Sequence, residues 1–159
     1  MIYAFRRVQP PDSIVMNKNR VLLADDDLED QEMLTEVIRE MAPGLKVETV
    51  SDGREALAKL TQLADAELPS LIILDYKMPY LNAAEVLEAL AKDPRYAAIP
   101  KVCWSSSRRE DDIRRCLKAG ACNYFQKPST SAELRGVTKS MLECHGSGSC
   151  PNGKTYTGK

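Results

Sequence analysis

The sequence is poor in the features that announce several common kinds of protein. Its longest apolar run is five residues, far short of the ~18 needed to cross a bilayer. Arg6 and Arg7 are followed by no apolar stretch before Pro10-Pro11, so the N-terminus does not read as a secretory signal. Charge of neither sign dominates: 22 Lys and Arg stand against 23 Asp and Glu, a formal net charge of −1. That balance argues against a chain whose affinity comes from neutralising a phosphate backbone, and no basic stripe or helix-turn-helix pattern appears. The five cysteines contain no Cys-x-x-Cys pair, and their odd number cannot close a disulfide framework by itself. Cys103, Cys116 and Cys122 read as small core or boundary residues. Cys144, the single histidine His145, and Cys150 could begin a metal site, but no fourth ligand is spaced to join them, so a helix end and loose tail is the simpler reading. Together these absences point to a soluble, cytoplasmic protein without direct contact to membrane or nucleic acid.

What is present is an alternating pattern. The 159 residues, 43% of them apolar, suit one domain with a single core. Residues 1–19 lack periodicity and read as an extension, residues 20–145 as the domain, and residues 146–159, rich in glycine, as a flexible tail. Within the domain, Arg20–Ala24, Leu45–Val50, Leu71–Leu74, Lys101–Trp104 and Asn123–Gln126 read as short strands. Apolar residues at helical spacing follow each one: Leu34, Val37, Ile38 and Met41; Ala56, Leu57, Leu60 and Leu63; Val86, Leu87 and Leu90; Ile113, Cys116 and Leu117; Leu134, Val137, Met141 and Leu142. Five β-α units of this kind predict a doubly wound α/β fold, flavodoxin-like, with a five-stranded parallel sheet in the order 2-1-3-4-5. Right-handed crossovers then bring the C-terminal ends of all the strands to one edge.

Four of the five strands end in reactive side chains: Asp25 and Asp26, Asp75, Ser105, and Lys127. Two carboxylates ~4 Å apart repel by about 4 kcal/mol at an effective dielectric near 20, so three of them require raised pKa values or a cation. An all-oxygen acidic cluster suits a hard divalent ion, Mg²⁺ in particular. Asp75 stands alone after the most apolar strand and is the candidate nucleophile. The Lys127 ammonium and the Ser105 hydroxyl are placed to neutralise a developing phosphoryl charge. Singly, each of these residues would read as a turn, a cap or a solvated side chain; their joint position at strand ends points to an acyl-phosphate site.

The stretches Val21-Leu-Leu-Ala-Asp-Asp-Asp27, Leu71-Ile-Ile-Leu-Asp-Tyr-Lys-Met-Pro79, Val102-Cys-Trp-Ser-Ser106 and Ala119-Gly-Ala-Cys-Asn-Tyr-Phe-Gln-Lys-Pro128 carry a resemblance. From about Arg20 to Cys144 the chain resembles the receiver domain of two-component response regulators, a family that includes the bacterial chemotaxis regulator. The spacings of 30 residues from Asp75 to Ser105 and 52 to Lys127 also match that family. The resemblance implies that Asp75 accepts a phosphoryl group from a histidine kinase. It implies that Asp25, Asp26 and Asp75, with the backbone carbonyl of Lys77, hold Mg²⁺, and that Lys127 pairs with the phosphoryl group. Ser105 and Tyr124 would be the switch hydroxyl and switch aromatic, and the Lys127-Pro128 bond would be cis. Ala83, Ser129 and Lys77 depart from the usual family residues; Ala83 should avoid positive φ or accept strain. The longer loop at Pro43-Gly44 and the longer second helix resemble stand-alone regulators paired with bacterial phytochrome-type kinases.

No output domain is legible after the fifth helix, so the expected protein is a single-domain regulator: a phosphoacceptor that assists its own phosphotransfer and autodephosphorylation, and no enzyme in the ordinary sense. Its expected partners are a sensor histidine kinase, a histidine phosphotransfer protein, or a second copy in a homodimer. Phosphorylation would bias a two-state equilibrium and remodel the face made by the fourth helix, fifth strand and fifth helix. Two competing readings are a receiver-like interaction module that is never phosphorylated and a phosphatase with an aspartate nucleophile. The second lacks an acid two residues after Asp75, where such enzymes keep their general acid.

Overall fold

The computed structural model describes residues 17–145. Residues 1–16 of the extension expected over 1–19, the tail assigned to 146–159, and Cys150 lie outside the described residues, whereas residues 17–19 belong to the first strand. Five strands alternate with five helices in chain order: β1 (Asn17–Ala24), α1 (Leu28–Met41), β2 (Lys46–Val50), α2 (Gly53–Gln62), β3 (Pro69–Leu74), α3 (Ala83–Ala91), β4 (Lys101–Ser105), α4 (Glu110–Ala119), β5 (Asn123–Gln126) and α5 (Ser131–Cys144). The strands form one parallel sheet, as the alternation predicts, in the expected order β2-β1-β3-β4-β5.

Four of the five helices, all but α4, start where a short polar side chain caps them. Asp27 Oδ1 accepts from the N–H groups of Glu29 (2.9 Å) and Asp30 (3.2 Å) at the head of α1. Asp52 and Thr130 each accept from the N–H three residues on, at 2.9 and 3.2 Å. Asn82 and Glu85 form a reciprocal capping box at α3. Gly120 ends α4 in the left-handed conformation, φ 119°, which its lack of a Cβ permits.

Packing follows the pleat. All six residues of β3 are buried, as a central parallel strand covered on both faces requires. On one face Leu22, Ile72, Leu74 and Cys103 pack under Ala56 and Leu60 of α2, Val86, Leu87 and Leu90 of α3, and Cys116 of α4. On the other, Val21, Leu23, Leu71, Ile73, Val102, Trp104 and Phe125 pack under Leu34 and Ile38 of α1 and Leu134 and Met141 of α5. Each fully buried Leu or Ile contributes roughly 1.5–3 kcal/mol of transfer free energy.

Several details differ from the sequence pattern. β1 begins at Asn17, which pairs with Pro69 across a register irregularity before the regular pairing resumes at Val21. Short 3-10 turns occupy Asp65–Glu67 and Pro94–Tyr96, segments that the sequence pattern leaves unassigned between helix and strand. Ala83 is buried as the first residue of α3, and positive φ falls instead on Tyr80, at 69°. Among the described residues every peptide bond is trans, so the Lys127-Pro128 bond is not in the cis form that the resemblance implies; trans is the ordinary state of an X-Pro bond.

Candidate functional site

The register carries the reactive residues to one place. Ala24 pairs with Leu74, so the next residues on the two strands, Asp25 and Asp75, emerge side by side at the C-terminal edge. Their backbones are tied to the sheet: the Asp75 N–H donates to the Ala24 carbonyl at 2.9 Å and the Asp25 N–H to that of Val50 at 3.1 Å. Gln31 of α1 donates its side-chain amide to the Asp25 carbonyl and, at 3.2 Å, to that of Val50. Lys127, one residue past β5, is fixed by its N–H on the Ser105 carbonyl at 2.8 Å.

Carboxylate oxygens of Asp25, Asp26 and Asp75 lie within 4.8 Å of one another. Asp25 and Asp75 are buried, whereas Asp26 is exposed and leaves the cluster open to solvent. The Lys127 ammonium enters from the β5 side, 2.8 Å from Asp25 Oδ2 and 3.3 Å from Asp75 Oδ2. Three acids close together with one permanent cation leave excess negative charge. Hard oxygen donors in that number suit a divalent ion of the Mg²⁺ or Mn²⁺ type, so the residues fit the metal that the fold implies. Lys77 is exposed two residues beyond Asp75. Ser129, the other departure near this edge, is exposed after Pro128.

The electrostatics follow from burial. Desolvation pushes the Asp75 carboxyl up to about 7; the Lys127 charge pulls against that rise and the Asp25 charge adds to it. Burial alone would lower the Lys127 ammonium, but hydrogen bonds to Asp25 and Asp30 and the charge of Asp75 outweigh it and hold the lysine above its ordinary value. Lys127 therefore carries its charge throughout the physiological range.

Ser105 is fully buried at the end of β4, and its Oγ accepts from the Ser107 N–H at 3.2 Å. Tyr124 points inward, 3% exposed, with its hydroxyl donating to the Ser107 carbonyl at 2.8 Å. Desolvation lifts that phenol to about 12, so it remains a donor. Ser107 in turn donates to buried Asp112 of α4 at 2.5 Å, and Arg115 donates to the Tyr76 hydroxyl at 3.2 Å. The β4–α4 loop is thus tied to the inward tyrosine and to α4, and α4 in turn to Tyr76, the residue after Asp75.

Sequence reasoning missed Trp104, Asp30 and Gln31. Trp104 belongs to the α1/α5-side core, yet its indole N–H donates to Asp25 Oδ2 at 3.1 Å and its ring lies 5.1 Å from the Lys127 ammonium. Asp30 contacts the same ammonium at 2.7 Å. The only hint was local: Asp30 and Gln31 lie within the first turn and a half of a helix whose start, after Asp25-Asp26-Asp27, was already at the site. The approach of Lys127 to Asp30 spans 97 residues and had no local signal.

A family model described as the response regulator receiver domain matches residues 21–139. The transcriptional regulatory protein PrrA of Mycobacterium tuberculosis is 35% identical over 139 residues, covering 87% of this chain and 56% of that protein. The chain spans between about a third and just over half of the length of the curated relatives it matches, 33% and 56% in two of them. Among solved structures, the phosphorylated cyanobacterial phytochrome response regulator RcpA superposes with a TM-score of 0.73 at 30% identity, covering 82% of this chain and 96% of RcpA. The Mn²⁺-bound response regulator Rcp1 shares the fold, with a TM-score of 0.72 at 24% identity over 84% of this chain and 99% of Rcp1. With its sheet order, its edge of acids and a family match across nearly the whole described chain, this protein belongs to the response regulator receiver domain family of two-component signalling.

Proposed function

We propose that Asp75 is the phosphoacceptor of a cytoplasmic two-component pathway. The observation that carries the reading is the gathering of Asp25, Asp26 and Asp75 oxygens within 4.8 Å, with the Lys127 ammonium 3.3 Å from Asp75. Asp25, Asp26 and Asp75, with the backbone carbonyl of Lys77, would hold Mg²⁺, which when bound supplies charge neutralisation to the phosphoryl oxygens. The ionised Asp75 carboxylate attacks phosphorus; an Oδ–P bond forms as the N–P bond of a kinase phosphohistidine breaks, and the freed imidazole takes up a proton. Lys127 neutralises one equatorial oxygen, and Ser105 Oγ, released from the Ser107 N–H, donates to another. The β4–α4 loop then loses a tie, and Tyr124 and Asp112 transmit the change to the α4-β5-α5 face, where a partner reads it.

The donor is a sensor histidine kinase, with a histidine phosphotransfer protein as an onward acceptor. The likeness to RcpA favours a phytochrome-type kinase. Among the described residues no helix is long and apolar enough to cross a membrane, which fits delivery of the phosphoryl group from a cytoplasmic kinase domain.

The test is labelling with acetyl phosphate. Incorporation of roughly one phosphoryl group per chain, dependent on Mg²⁺ and lost in Asp75→Ala, is the expected result. No incorporation would leave an interaction module. Sustained release of many phosphates per chain from small substrates would indicate a phosphatase.

A further inference from the structure

Lys127 has one carboxylate partner more than the cation cluster supplies. An ammonium has three donors, and those of Lys127 face Asp25 at 2.8 Å, Asp75 at 3.3 Å and Asp30 at 2.7 Å. The first two belong to the acid cluster; Asp30 does not. Its backbone is pinned on the first turn of α1 by the Asp27 cap, and its side chain is 23% exposed where that of Asp25 is fully buried. The Lys127 backbone is equally fixed, on the Ser105 carbonyl, so only the outer part of its side chain has room to shift.

A divalent cation and this ammonium cannot both occupy the same carboxylate oxygens. A cation seated on Asp25 and Asp75 forces the lysine charge outward, and the contact with Asp30 already exists on that side. We propose that Asp30 is a positioning residue that retains the displaced Lys127 ammonium at the rim of the pocket, and so sets how strongly the lysine competes with the divalent cation. This rests on the reading of Asp25, Asp26 and Asp75 as a cation site. A different physical account would have Asp30 act through its charge alone, attracting any cation through space whether or not a lysine is present.

A double-mutant cycle separates the two. Mn²⁺ binding is titrated by calorimetry, at fixed pH and ionic strength, into the wild-type chain, Asp30→Asn, Lys127→Met and the double variant. The expected result is about fivefold or greater weakening by Asp30→Asn in the wild-type background and less than about twofold in the Lys127→Met background, a coupling typical of directly paired residues. Asp30→Glu, which keeps the charge, restores affinity to within about threefold of wild type, and thermal unfolding without metal checks that each variant is folded. Equal weakening in both backgrounds overturns the proposal, as does unchanged or tighter binding in Asp30→Asn. A folded wild-type chain that takes up no Mn²⁺ overturns the cation-site reading itself, and the inference with it.

Discussion

Asp75 stores a cost in its own ionisation. With its carboxyl pushed by burial to about 7 from an ordinary 3.8, the folded chain keeps a proton through a window where the unfolded chain has released it. Stability from this group is therefore greatest below about pH 4, falls as pH rises, and levels off above about pH 7. Asp75→Asn removes the charge at similar size. It should stabilise the metal-free protein by about 2–4 kcal/mol at pH 8, with a gain that shrinks steadily toward pH 4. Thermal unfolding of the two proteins across that range checks it; a variant no more stable at pH 8 would show that the buried charge costs nothing. Millimolar Mg²⁺ should narrow the difference, because a bound cation offsets the charge that the asparagine removes.

Among the elements, two glycines make opposite demands. Gly53 opens α2 against the α3 layer, where an added Cβ would lie 2.6 Å from the Leu81 carbonyl oxygen and 2.8 Å from Val86 Cγ2. Helix propensity favours alanine there by roughly 1 kcal/mol, yet the clash with backbone should dominate, and Gly53→Ala should destabilise by about 2–3 kcal/mol in urea unfolding. Gly120 has open space around the same position but φ 119°. Gly120→Ala should cost about 1–2 kcal/mol through backbone strain alone. If Gly53→Ala proved the milder of the two, the close packing of α2 on the loop before α3 would be wrong.

The same scale shows what was legible in the sequence. Short apolar runs in the strands and a period of about four in the helices made the order of elements legible, because burial on both faces of a parallel sheet leaves an unbroken apolar run at β3 and a one-sided stripe on each helix. The two 3-10 turns were illegible because they hold no buried apolar periodicity: Asp65, Ala66 and Glu67 are all exposed, and only Tyr96 is buried in the second. The strand-end residues of the site were legible because parallel register delivers them to one edge whatever the loops do. Trp104 was not: pleat alternation assigns it to the α1/α5 core, and only the length of its ring lets it reach back to Asp25.

For the molecule as a whole, the site and the α4 face are joined by few bonds. Ser105 Oγ holds the Ser107 N–H, Ser107 Oγ accepts from the Arg109 N–H at 3.3 Å and donates to Asp112, and the Ser107 carbonyl holds Tyr124. Recruiting Ser105 Oγ to a phosphoryl oxygen removes the first link. Hydrogen exchange after treatment with acetyl phosphate and Mg²⁺ should accelerate at the amides of residues 107–109, while the amides of β3 stay protected and Asp75→Asn shows no change. Acceleration spread evenly over the sheet would mean general loosening rather than a switch.

Trp104 is the only tryptophan in the chain, and its indole nitrogen rests on an acid of the cluster. Its emission is therefore a built-in optical gauge of that acid's surroundings. Paramagnetic Mn²⁺ arriving beside Asp25 should dim it and Mg²⁺ alter it less, so ion occupancy, and phosphoryl arrival with it, could be followed in real time on the unlabelled chain.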